Sequence, residues 1–128
     1  MRQTWLMDLE GRTAGFFSAV ATQNVEAVAA LCSPDFRLKQ NNGPEVDVAT
    51  SIAGLQGLWG MGIATSYGEV RRAVGDRVVT EQHVVTMTRA DGATAACDVC
   101  VVVRFGSGGL ISRIDEYADS AAFAALFG

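Results

Sequence analysis

A chain of 128 residues with 49% apolar and 19% charged side chains is expected to form one domain, residues 1–128, with its own core, and disorder is excluded. The net charge of -4 and the scatter of the ten basic residues argue against nucleic acid or an anionic membrane as partner. There is no membrane-length apolar run and no signal-peptide core, and the odd count of three cysteines, Cys32, Cys97 and Cys100, fits reduced thiols in a cytoplasmic protein.

The apolar residues Trp5, Leu6, Leu9, Phe16, Phe17 and Val20 keep helical spacing from Thr4 to Val20, weakened by Gly11 and Gly15. Asn24 is a cap for a second, short helix through Val25, Val28, Leu31 and Cys32, which Ser33-Pro34-Asp35 stops. A short strand over Phe36 to Gln40 follows, then the turn Asn41-Asn42-Gly43-Pro44. Thr50-Ser51 opens a third helix carrying Ile52, Leu55, Leu58 and Trp59, and it runs out in Gly57, Gly60 and Gly62. No strand precedes these glycines, so they are not a dinucleotide-binding loop; a mobile helix end or a flexible pocket rim are the two readings.

A strand over Tyr67 to Val74 leads through Gly75-Asp76 into three consecutive strand patterns, VVTEQHVVTMTR, ATAACDVCVVVRF and LISRIDEYA, and residues Ala121 to Phe127 form a short closing helix. The turns place Thr88 opposite Ala95 and Phe105 opposite Leu110. One face of the sheet then carries Val78, Thr80, Gln82, Val84 and Thr86 with Cys97, Val99, Val101, Val103, Phe105, Ser112, Ile114 and Glu116. The opposite face carries Val79, Glu81, His83, Val85 and Met87 with Asp98, Cys100, Val102, Ile111, Asp115 and Tyr117. The first face is the core side, and a bulge in any strand would exchange the two beyond it.

Helices, a short strand, a helix and then four long antiparallel strands, together with FFSAVATQNVEAVAALCSPDF, VGDRVVTEQHVVTMTRADG and VVVRFGSGGLISRIDEYADSAAF, resemble the nuclear transport factor 2-like superfamily. The similarity is to its polyketide-cyclase-like and ketosteroid-isomerase-like branches and covers nearly the whole chain. It implies an α+β fold in which N-terminal helices cover a cone-like curved antiparallel sheet around a pocket, commonly in a homodimer. It does not imply one chemistry. The residues that a ketosteroid isomerase would need are replaced by Phe16, Gln40 and Val101, and two that a limonene-epoxide-hydrolase-like enzyme would need are replaced by Gln82 and Val84. An acid just before the tyrosine of the last strand, Glu116, does have counterparts in those hydrolases and in the polyketide cyclases.

Glu116 is therefore the candidate catalytic residue, a carboxyl whose charged form is disfavoured among Val99 and Val84. Gln40 and Gln82 are candidate amide donors, and Trp59, Phe16, Leu38, Val84, Val99, Val101 and Ile114 the candidate pocket wall. His83 falls on the outer face in a row with Cys100 and Asp115; with a shifted register, His83, Glu81 and Asp98 become the site instead. Cys97 and Cys100 lie three apart on a strand and face opposite ways, and there is one histidine in the chain, so neither a redox pair nor a metal is expected. The expectation is a cofactor-independent isomerase, cyclase or hydrolase for a small apolar molecule, paired through the outer sheet face. Its alternative is a non-catalytic binding or interaction module of the same fold.

Overall fold

The computed structural model describes residues 2–127, with side chains from residue 8 onward; Trp5 and Leu6, expected on the inner helix face, lie outside the described side chains. Helix α1 (Arg2–Ala21) and helix α2 (Val25–Leu31) lead into strand β1 (Cys32–Gln40) and the two-residue β2 (Glu45–Val46). Helix α3 (Val48–Gly60) precedes β3 (Ile63–Gly75), β4 (Val78–Arg89), β5 (Thr94–Phe105) and β6 (Ile111–Ala118), and a 3₁₀ turn at Ser120–Phe123 runs into α4 (Ala124–Phe127). The caps follow local chemistry. Asn24 accepts from the Ala27 amide, and Asp47 accepts from the Thr50 amide at the start of α3. Beyond α2 the chain enters β1 at once, at Cys32, without the separate stop that Ser33-Pro34-Asp35 suggested.

The six strands form one mixed sheet in the order β2-β1-β6-β5-β4-β3, antiparallel except where β1 runs parallel to β6. Its inner face packs Val79, Val85, Val99, Val101, Val103, Phe105, Ile111 and Ile114 against Leu9 and Phe17 of α1, with Phe36, Phe123 and Leu126 closing the core. The apolar contacts across this layer supply the main driving force for folding. Among the described residues no helix is long and apolar enough to cross a membrane.

The register of β4 differs from the expectation. Arg89 and Ala93 pair around the loop Ala90-Asp91-Gly92, with the Arg89 amide donating to Ala93 O at 2.8 Å and Gly92 at φ 92°. The loop holds three residues with glycine in the positive-φ position, whereas pairing Thr88 with Ala95 would leave two between the strands. Thr88 consequently sits opposite Thr94, one residue away from the expected Ala95. One residue of slip turns every side chain of β4 over. Val79, Glu81, His83, Val85 and Met87 face inward, whereas Gln82 and Val84 face outward.

The β5–β6 hairpin slips by two residues and therefore keeps its faces: Val101 lies opposite Glu116 and Val103 opposite Ile114. An irregularity between Arg104 and Phe105 brings Ile111 opposite Phe105, so Ile111 is buried on the inner face and not displayed on the outer one.

Candidate functional site

The inner face of the sheet, α1, α2 and α3 enclose a cavity of about 650 Å³, within the range of small-molecule sites. Its wall is mainly apolar, including Phe16, Phe17, Val20, Leu38, Val99 and Ile114. Into it come Glu116, Gln40, Asn41, Tyr67 and His83, and among the described residues no lysine or arginine lines it.

Glu116 is held from the neighbouring parallel strand. Gln40 is its register partner on β1, and the Gln40 Nε2 amide donates to Glu116 Oε1 at 3.0 Å. The next residue, Asn41, fastens the two strands. Its backbone amide donates to Glu116 O at 2.8 Å, its Nδ2 donates to Ala118 O at 2.8 Å, and its Oδ1 accepts from the Ala118 amide at 3.0 Å. Asn41 does this at φ 52°, a left-handed conformation that asparagine tolerates better than most residues. Burial pushes the Glu116 carboxyl above the usual carboxylate range, while the Gln40 hydrogen bond and the nearby His83 pull it partly back.

The inversion of β4 brings His83 into this cavity, 3% exposed. His83 Nδ1 lies 2.5 Å from Oε2 of Glu81, a fully buried carboxylate on the same strand face, and Arg72 Nε on β3 donates to the other oxygen, Oε1, at 2.6 Å. The imidazole is flanked by Tyr67, with ring centres 4.7 Å apart, and by Phe17 at 5.0 Å. With Nδ1 committed to Glu81, Nε2 is the ring nitrogen left for a bound molecule. Burial, with the negative charges of Glu116 and Glu81, raises the Tyr67 hydroxyl far above its ordinary value, so it acts as a neutral phenol. Cys32 also lines the cavity, but burial pushes its thiol up to about 12 and leaves little thiolate to act as a nucleophile.

Of the residues singled out in the sequence, Glu116, Gln40, Phe16, Leu38, Val99 and Ile114 line the cavity. Gln82 and Val84 do not, because the β4 register turns them to the outer face. Val101 is fully buried in the core, opposite Glu116 and Glu81, and does not line the space. Trp59 is half-buried on α3, outside the cavity wall, to which that helix contributes Val48, Gly54, Leu55 and Leu58. Asp98 points outward and does not join His83 and Glu81; Cys97 is buried while Cys100, three residues on, faces out.

Asn41 and Arg72 carried no signal of their own in the sequence. Glu81 and His83 did, since residues two apart on a strand share a face in any register; only which face was open.

Known families and structures share this fold. The SnoaL-like domain model matches residues 13–114. No curated protein matches the sequence. Among solved structures, one described as a putative polyketide cyclase from Xanthomonas campestris pv. campestris superposes with a TM-score of 0.84 at 17% identity, covering 97% of this chain and 99% of its own. An LEH-like epoxide hydrolase of M. tuberculosis superposes with a TM-score of 0.80 at 13% identity, covering 94% and 89%. An NTF2-like protein from Burkholderia xenovorans LB400 gives 0.74 at 18%, covering 94% and 95%. At these identities the structures establish the shared fold, and the family match covers most of the chain. The chain belongs to the SnoaL-like family, within the nuclear transport factor 2-like superfamily.

Proposed function

We propose that the chain is a cofactor-independent enzyme that performs general acid–base chemistry on a small, largely apolar, uncharged molecule, as an isomerase, cyclase or hydrolase. What supports this is that Glu116 and His83, two groups able to exchange protons, share one mainly apolar cavity of about 650 Å³. A carboxyl raised by burial is a better base toward a weakly acidic C–H than a solvated one. In the simplest cycle the Glu116 carboxylate removes a proton from carbon next to a carbonyl, and the electron pair moves into the carbonyl to give an enolate. The Tyr67 phenol on the wall stabilises that oxygen, and the proton returns to carbon, directly or by way of His83, or the enolate attacks a second carbonyl within the molecule. A structure described as that of a putative polyketide cyclase lies on the same fold, which is consistent with the cyclising outcome. Among the described residues no lysine or arginine lines the wall, which favours an uncharged ligand.

The test is solvent-deuterium exchange, read by NMR, on a panel of uncharged cyclic ketones and polyketide-like aromatic carbonyl compounds in the presence of the protein. Exchange next to the carbonyl is expected with the wild-type chain and is expected to fall by about 100-fold or more in Glu116→Gln and in His83→Asn. Binding of several such compounds with no exchange, cyclisation or hydrolysis of any of them would transfer the case to the non-catalytic module.

A further inference from the structure

We infer that Arg72 is a positioning residue: through the buried Glu81 carboxylate it determines which nitrogen of His83 carries the proton, leaving Nε2 as the basic atom presented to the cavity. The inference concerns the same cavity as the proposed function, but it is decided by the state of one imidazole and not by turnover.

Glu81 is fully buried, and each of its oxygens has one partner, Arg72 Nε at 2.6 Å and His83 Nδ1 at 2.5 Å. A buried carboxylate without a compensating cation would take up a proton. Arg72, 20% exposed at its side chain, supplies that cation. Opposite an ionised Glu81, Nδ1 must be the donor, and the lone pair of the neutral ring then lies on Nε2. Opposite a protonated Glu81 the roles reverse: the carboxyl donates to Nδ1, the ring proton moves to Nε2, and the cavity faces an N–H in place of a base.

The backbone is built to select this arginine. Gly68 pairs with Val84 and Arg71 with Gln82, so Glu69 and Val70 together oppose the single residue His83. Glu69 takes φ 51° to accommodate the extra residue. Beyond this bulge Arg72 lies opposite Glu81, and Arg71 is turned to the exposed side. Without the extra residue Arg71 would lie opposite Glu81. The charged or titratable groups around the imidazole are Glu81 on its own strand, Tyr67 and, through Glu81, Arg72 on β3, and Glu116 on β6 across the cavity. Phe17 from α1 and Val99 from β5 are uncharged, and Glu10 of α1 lies 3.9 Å from the far side of Arg72. Arg72 is thus the cation beside the carboxylate that the ring touches.

His83 is the single histidine of the chain, so its ring nitrogens are assigned without ambiguity in the ¹⁵N-labelled protein. In the wild-type chain the alkaline form is expected to carry its proton on Nδ1, and acidification to give the doubly protonated ring. In Arg72→Met the acidic form is expected to be a neutral ring protonated on Nε2, because Glu81 takes the proton instead. Arg72→Lys is expected to keep the wild-type pattern, and so is the control Arg71→Met. A purely structural Arg72 would lower thermal stability in Arg72→Met and leave the ring nitrogens titrating as in the wild type, which would overturn the inference. A wild-type alkaline ring protonated on Nε2, or an Arg71→Met ring altered in the same way as Arg72→Met, would overturn it equally. If Arg72→Met does not fold, the wild-type tautomer and the Arg72→Lys pattern decide.

Discussion

At the scale of single residues, the site combines a carboxyl that burial works against with one that is fully compensated. Glu81 shares its charge with Arg72 and His83, whereas Glu116 has Gln40 as its one side-chain hydrogen-bond partner among the described residues. The folded protein therefore binds a proton at Glu116 more tightly than the unfolded chain does. The stabilising effect of that raised affinity is complete below the unfolded value and is lost as pH rises through the folded one. Glu116→Gln, which removes the buried charge and can keep a hydrogen bond to Gln40, is expected to melt higher than the wild type at about pH 8, with the gap closing toward about pH 4. Thermal unfolding at the two pH values checks this, and a variant that melts lower than the wild type at the alkaline value would show that the carboxylate is stabilised where it sits. The inactivation expected of the same substitution would then be a functional loss without a folding defect.

At the scale of elements, the informative contrast lies between the sheet and α3. The strands are fixed by long ladders and buried valines, but α3 has no buried residue, although it forms part of the cavity wall. Gly54, Gly57 and Gly60 recur along it, and a Cβ added at any of them would meet nothing within 4 Å. Its helical propensity is accordingly low for reasons unrelated to packing. Gly57→Ala, away from the cavity wall, is expected to stabilise the protein by about 0.5–1 kcal/mol, measured by urea denaturation. A loss of stability would mean that Gly57 is needed bare for a contact.

At the scale of the whole molecule, the outer sheet face is less apolar than expected, because Val79, Val85, Met87 and Ile111 are on the inner side. The face keeps Cys100, Val102 and Tyr117, the last 55% exposed, and gains Val84. We propose that two copies pair through this remainder. Sedimentation is expected to show a dimer at micromolar concentration, and a Tyr117→Glu variant to shift it toward monomer. A wild-type monomer under those conditions would remove the proposal.

The order and type of the elements apart from β2, the cap at Asn24, and the inward position of Glu116 were legible in the sequence, because each depends on residues close together in the chain. Glu116 survived the actual register of β6 because a slip of two residues preserves faces. The sequence also contained the pairing of Glu81 with His83, since residues two apart on a strand share a side whatever the register. It did not contain the side. That depended on whether the loop at Ala90-Asp91-Gly92 holds two residues or three, because one residue of slip exchanges the faces of β4. Gln40 and Asn41 reach the site through a parallel pairing between segments distant in the chain, and Arg72 through a bulge in the β3–β4 hairpin. The sequence by itself determined which chemistry this protein carries on its strands; only the tertiary structure decided which of it faces the cavity, because a strand fixes alternation locally and its phase only through its partners.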